Sequence, residues 1–186
     1  QDGKQHGTGT YRLPNGYEYT GDWVEGEIRG NGVARFPNGA VYEGEFAKGK
    51  PEGVGKITFA DGGDVDLTAL STAAQGYDVV IESSTLDVTN ATTFTNTGTL
   101  TLGNEAADAL TFTGGLTATA VDQVVLGGGT VSTTSANNLS LGDGNAEAVS
   151  VTADSTLVAD TGTIAVTGEI DAAGDLTFES NSGTIT

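Results

Sequence analysis

Glycines near the start of the chain repeat at an interval of 23 residues. Gly3, Gly26 and Gly49 fall on one another, as do Gly7, Gly30 and Gly53, and Gly9, Gly32 and Gly55. Leu13, Phe36 and Phe59 share that frame, and so do Tyr19 and Tyr42, Gly21 and Gly44, Trp23 and Phe46. Asn15-Gly16, Asn38-Gly39 and Asp61-Gly62 recur as turn pairs. Asn-Gly and Asp-Gly are the dipeptides that supply the positive φ angles of tight hairpin turns. Each unit therefore reads as strand, glycine turn, strand, Asn-Gly turn. One hairpin is marginal alone, so neighbouring units must share a core. The expectation is an elongated antiparallel array over residues 1–62.

Two stretches carry a family likeness: "YEGEFAKGKPEGVG", Tyr42 to Gly55, and "GKQHGTG", Gly3 to Gly9. They resemble the MORN repeat (membrane occupation and recognition nexus), in three copies in register. The resemblance implies a β-hairpin array, and it implies a link either to lipid headgroups or to protein assembly. Lipid is disfavoured, because this half is close to neutral and lacks a polybasic stripe. His6 stands where the family often has His before Gly. It reads as a turn-packing residue, since no catalytic partner is in view.

The charge map divides the chain in two. All seven Lys and Arg lie before residue 57, beside eight of the 25 acids. From residue 57 onward the remaining 17 Asp and Glu meet no Lys or Arg. That half repels nucleic acid, anionic lipid and polyuronate. The chain has no cysteine, so neither disulfides nor thiolate ligands are available. No apolar run approaches the ~18 residues that span a bilayer, so no membrane insertion is expected. Few lysines, no cysteine and many Thr, Gly, Asn and Ala fit a secreted or cell-surface protein.

After Gly62 the pattern becomes short runs such as "TLTLG", "LTFTG", "VVLGG", "NLSLG" and "VSVTA". Leu, Val, Ile or Phe alternates with Thr or Ser, which means half-buried strands. Gly, Asn and Asp occupy the turns; "NEAADAL" reads as one of these rather than a helix. Val124 and Leu126 recur as Val149 and Val151, and then as Leu176 and Phe178. Leu139 and Leu141 recur as Ile164 and Val166, and Val131 recurs near Leu157. A step of about 25 residues with three strands per coil is the period of a parallel β-helix. The fold expected is all-β: a hairpin array over 1–62 continuing into a β-solenoid of about five coils over 63–186. "NATTFTNTGTLTLG", Asn90 to Gly103, resembles the passenger β-helices of filamentous-haemagglutinin-type adhesins and autotransporters.

Catalytic chemistry is not expected. A β-helical lyase needs a basic residue, and the second half has no Lys, Arg or His. A glycosidase needs clustered carboxylates. Asp64 with Asp66, or Asp171 with Asp175, are the candidates, and both pairs read as turn residues. No cofactor is expected. "GDGN", Gly142 to Asn145, matches neither calcium-loop pattern, so only loose Ca²⁺ binding by the acidic half is foreseen.

The first copy of the repeat begins without its Tyr-x-Gly-x-Trp strand, and the chain stops just after apolar Ile185. Uncapped solenoid ends expose core and strand edge, and they stack. The expected function is a structural subunit of an extracellular filament, a head-to-tail homopolymer. The residues assigned to the interface are Thr8, Thr10, Tyr11, Leu13, Tyr17 and Tyr19 at one end. At the other they are Leu176, Phe178, Thr184, Ile185 and Thr186, acting as a strand donated to the next copy. The alternative is a binding module of a larger bacterial surface adhesin, with a glycan or surface protein along its Thr and Asn face.

Overall fold

The computed structural model describes residues 3–37, 39–59, 64–67, 70, 72, 74, 76–145 and 148–186. Every regular element among them is a strand. Five strands form the hairpin array: β1 (Gly7–Arg12), β2 (Glu18–Val24), β3 (Glu27–Arg35), β4 (Ala40–Ala47) and β5 (Lys50–Phe59). Each pairs antiparallel with the next.

The turns divide the work differently from the expectation. The two-residue hairpin turns are Glu25-Gly26 and Lys48-Gly49, with positive φ at both residues of each pair. Two successive positive φ angles give the twist that matches paired strands. The Pro14-Asn15-Gly16 segment forms a longer loop instead. Leu13 N–H donates to the Tyr17 carbonyl at 2.8 Å, and Gly16 alone turns left-handed, at φ 96°. Asn15 contributes its side chain, accepting the Tyr17 N–H at 3.1 Å. The Asp61-Gly62 turn lies outside the described residues, as does the boundary expected after residue 62.

The rest of the chain coils. β6 (Asp64–Leu67) opens it. The first full coil is β7 (Asp78–Ile81), β8 (Thr85–Val88) and β9 (Thr92–Thr93). The second is β10 (Thr99–Leu102), β11 (Ala109–Phe112) and β12 (Leu116–Ala118). The third is β13 (Gln123–Leu126), β14 (Gly129–Thr133) and β15 (Leu139–Leu141). The fourth is β16 (Val149–Val151), β17 (Ser155–Ala159) and β18 (Ile164–Val166). β19 (Ile170–Ala172), β20 (Leu176–Ser180) and a bridge from Ile185 to Ile164 make the fifth. This is a three-sided parallel β-solenoid of about five turns. Glu105 to Asp108 is a turn as expected, with the Asp108 carboxylate accepting the N–H groups of Asn104 and Glu105.

Coil length is not constant. Val79, Leu100, Val124, Val149 and Ile170 stack in register, so successive coils take 21, 24, 25 and 21 residues. The short last step corrects one expected equivalence. Ile170 and Ala172 stack on Val149 and Val151, whereas Leu176 and Phe178 stack on Ser155 and Leu157 of another face. Leu139 and Leu141 do stack on Ile164 and Val166, and Val131 on Leu157. Asp64 and Asp66 lie in strand β6, not in a turn.

The junction is the strand β5. It is antiparallel to β4 on one side and parallel to β7 on the other, with Phe59 opposite Ile81. The hairpins and one face of the solenoid thus form a single ten-stranded sheet, from β1 at one edge to β19 at the other. We call it the spine sheet. Its inner side chains from β2 to β16 feed one buried cluster, running from Tyr19 and Tyr42 through Val79 and Leu100 to Val149 and Val151.

Leu126 sits in the middle of that cluster with no exposed surface. Leu126→Ala is expected to cost about 2–5 kcal/mol by chemical denaturation. Thr101→Ala, on the outer side of the same sheet, is expected to cost under about 0.5 kcal/mol. Equal costs would contradict the inside-outside assignment.

Candidate functional site

The hairpin array is organised by aromatic rings lying across glycines. Tyr42 Oη donates to the Glu45 carbonyl at 3.0 Å, and Tyr19 Oη donates to the Asp22 carbonyl at 3.0 Å. Both rings are fully buried. They lie so close to the backbone that only glycine fits beneath them. A Cβ on Gly55 would stand 2.3 Å from Tyr42 Oη, and one on Gly32 would stand 2.4 Å from Tyr19 Cε2. This close approach is the physical reason for the repeating glycines.

The rings form a ladder of edge contacts. Tyr11 meets Trp23 at 6.1 Å, Trp23 meets Tyr19 at 6.0 Å, and Tyr19 meets Phe46 at 4.9 Å. Phe46 meets Tyr42 at 5.1 Å, and Tyr42 meets Tyr77 at 6.2 Å. Tyr77 precedes β7, so the ladder crosses into the solenoid. Each such pair adds ~0.5–1.5 kcal/mol beyond area burial. Burial pushes the Tyr19 and Tyr42 hydroxyls above their ordinary value, with the neighbouring Asp22 and Glu45 adding to it.

The ladder explains the ends. Phe46 lies between two tyrosines, Tyr19 and Tyr42. Trp23, one repeat earlier, has Tyr19 on one side and Tyr11 of the edge strand on the other. Tyr11 stands where the next unit has Ala34, and it remains 41% exposed. Leu13 is 39% exposed beside it. At the other end Ile170 is 41% and Ile185 51% exposed. These four are the large apolar side chains that lie open among the described residues, and they stand at the two ends of the stack: Tyr11 on β1, Leu13 just past it, Ile170 on β19 and Ile185 at its bridge to Ile164.

The predicted interface residues separate on this map. Thr8, Thr10 and Tyr11 lie on β1, whose far edge has no strand beside it among the described residues. Thr10 shares a hydroxyl contact of 3.0 Å with Thr20. Tyr17 is half-buried, packed on Phe36 at 5.6 Å. Tyr19 is fully buried, so it presents nothing to a partner. Leu176 and Phe178 are half-buried in β20, while Thr184, Ile185 and Thr186 are exposed on a different face. Leu176 to Ile185 is therefore not one free strand to donate. β20 is held by β17, and Ile185 by Ile164. The outer strand of the spine sheet at this end is β19, which the sequence reading did not assign.

Charge is placed at the same strands. Arg12 Nε bonds Glu18 Oε2 at 2.5 Å, which holds the Glu18 carboxyl below its usual range. Asp143 of the Gly142–Asn145 turn accepts the Asn145 backbone N–H at 2.9 Å and also bonds its side chain. Asp171 lies on the spine sheet and Asp175 in the turn before β20, its N–H donating to Asp154. No group of three His, Cys, Asp or Glu that could hold a metal occurs among the described residues. No helix there is long and apolar enough to cross a membrane.

The MORN repeat model matches residues 1–16, 19–41 and 42–64, about a third of the chain. The two longer matches begin at Tyr19 and Tyr42, the two rings that lie across the glycines. A comparison with curated proteins finds no match.

Gly55→Ala is expected to cost about 1–3 kcal/mol, because the Tyr42 ring must move. A stable, unchanged Gly55→Ala would contradict the close approach. The tyrosines also predict an alkaline limit. Their folded values are raised above 10.0. Their contribution to stability is therefore whole below pH 10 and is lost as pH rises through the raised folded values. Denaturation midpoints measured from pH 8 upward should fall above about pH 10, and fall less in Tyr42→Phe.

Proposed function

We propose that this protein is a structural subunit that assembles end to end into an extracellular filament. One observation carries the reading: the large apolar side chains left open cluster at the two ends of the stack, Tyr11 on β1 with Leu13 just past it, and Ile170 on β19 with Ile185 at the bridge to Ile164. The spine sheet has β1 at one edge and β19 at the other. Pairing β1 of one copy with β19 of the next extends that sheet without closing it, and a head-to-tail contact that does not close makes a filament. Unpaired strand edges recruit strands from other chains. The cations of the hairpin half and the acids of the solenoid half would speed the encounter more than hold it.

The extracellular setting rests on composition and on the likeness of Asn90 to Gly103 to adhesin and autotransporter β-helices. A second reading draws on hydroxyl rows. Thr130, Thr156 and Thr177 stack in register on one face. Such a row supports a stretch of a bacterial surface adhesin that binds a glycan or protein there.

Negative-stain microscopy of the purified chain distinguishes these. Assembly gives long filaments one subunit wide, and Ile170→Glu/Ile185→Glu gives short rods. Filament growth should slow as salt is raised, because the steering charges are exposed. Short rods from the native chain at every concentration would overturn the assembly reading and leave the binding module.

A further inference from the structure

The outer side of the spine sheet carries a row of side chains in direct register across its strands. The order is Arg12, Glu18, Arg35, Val41, Thr58, Val80, Thr101, Val125, Ser150 and Asp171. Six consecutive members, Val41 to Ser150, are uncharged, and five of those six are β-branched. They cross the junction between hairpins and solenoid without a break. The neighbouring solenoid face is different. Its corresponding outward row reads Asp87, Thr111, Ser132, Val158, Glu179. Outward valines thus collect on the spine sheet; Val80, at the centre of the row, is already nearly covered within the chain, and half-exposed Val41, Thr58, Thr101, Val125 and Ser150 make the open part of the strip.

The row is also polar end to end. Glu18 bonds Arg12 and also lies opposite Arg35, so Arg35 is the cation bordering the strip, with Glu18 beside it on the far side. Asp171, exposed, borders it at the other end. At ~4.8 Å per strand, seven steps put Arg35 and Asp171 about 34 Å apart. A two-fold axis parallel to the strands, midway between β7 and β10, maps half-exposed Thr58 onto Val125 and Val41 onto Ser150. The same axis maps Arg35 onto Asp171. The strip is therefore self-complementary in both packing and charge.

We propose that the outer face of the spine sheet is a lateral docking surface for a second copy of this chain, packed antiparallel. Sheets pack face to face in this aligned manner with side chains interleaved. An isologous contact of this kind closes at two copies. Arg35 of each copy then faces Asp171 of the other, at the rim, where charge sets register and partner choice. The surface is the outer face of the sheet, whereas the end-to-end contact uses the free edge of β19; the two meet only at Asp171.

Sedimentation equilibrium up to high micromolar concentration tests it, on the Ile170→Glu/Ile185→Glu background that suppresses end contacts. The parent is expected to reach a dimer and stop there. Thr101→Lys, at the strip centre, is expected to be monomeric. Arg35→Asp and Asp171→Arg should each weaken the dimer by about tenfold or more, and the combined Arg35→Asp/Asp171→Arg should restore it. Both positions are exposed, and far-UV circular dichroism checks that each variant is folded. A monomeric parent, an unaffected Thr101→Lys dimer, or a combined variant no better than the singles would overturn the proposal.

Discussion

The structure depends on one strand that pairs two ways. β5 closes the last hairpin against β4 in antiparallel fashion and starts the spine face of the solenoid in parallel fashion against β7. A parallel β-solenoid has an open edge at the start of each face, and an open edge pairs with whatever strand reaches it. Here a hairpin strand occupies it. The hairpin array gains equally, because an antiparallel ribbon needs a shared apolar face to be stable. Tyr42 meets Phe46 within the array and Tyr77 at the solenoid, so the two architectures share side chains as well as hydrogen bonds.

Much of this was legible in the residues, because two strict periods govern the chain. The 23-residue period exists because a tyrosine ring can lie flat only over glycine. Gly32 under Tyr19 and Gly55 under Tyr42 are therefore visible as spacing. The inward-outward alternation of the solenoid is visible because Leu, Val and Ile alternate with Thr and Ser. The coil register was only partly legible. Corners tolerate insertions of a few residues without disturbing the stacked strands. A fixed step of about 25 residues consequently misplaced Leu176 and Phe178, while the 25-residue step from Leu139 to Ile164 was right.

The candidate interface was less legible than the fold. Exposure at the ends follows from neighbours, not from residue type. Tyr19 and Tyr11 are both tyrosines of the array, yet one is enclosed by the next repeat and the other stands at the edge. The role of β19 was invisible because Ile170 and Ala172 are a weak strand signal with Asp171 between them. The outward Val and Thr row was hidden for a related reason. Its members from Val41 to Ser150 are 17 to 25 residues apart in sequence, and only the register of six strands brings them into line.

A spine sheet that runs unbroken from hairpins to solenoid predicts one cooperative unit. Trp23, the one tryptophan of the chain, lies in the hairpins, whereas most of the strand signal comes from the solenoid. Equilibrium urea unfolding followed in parallel by Trp23 fluorescence and far-UV circular dichroism reads both parts at once. Coincident transitions with one midpoint are the result that a shared β5 requires. A Trp23 transition completed well before the circular dichroism changes would mean that the hairpins fold as a separate domain, and that β5 does not join the two.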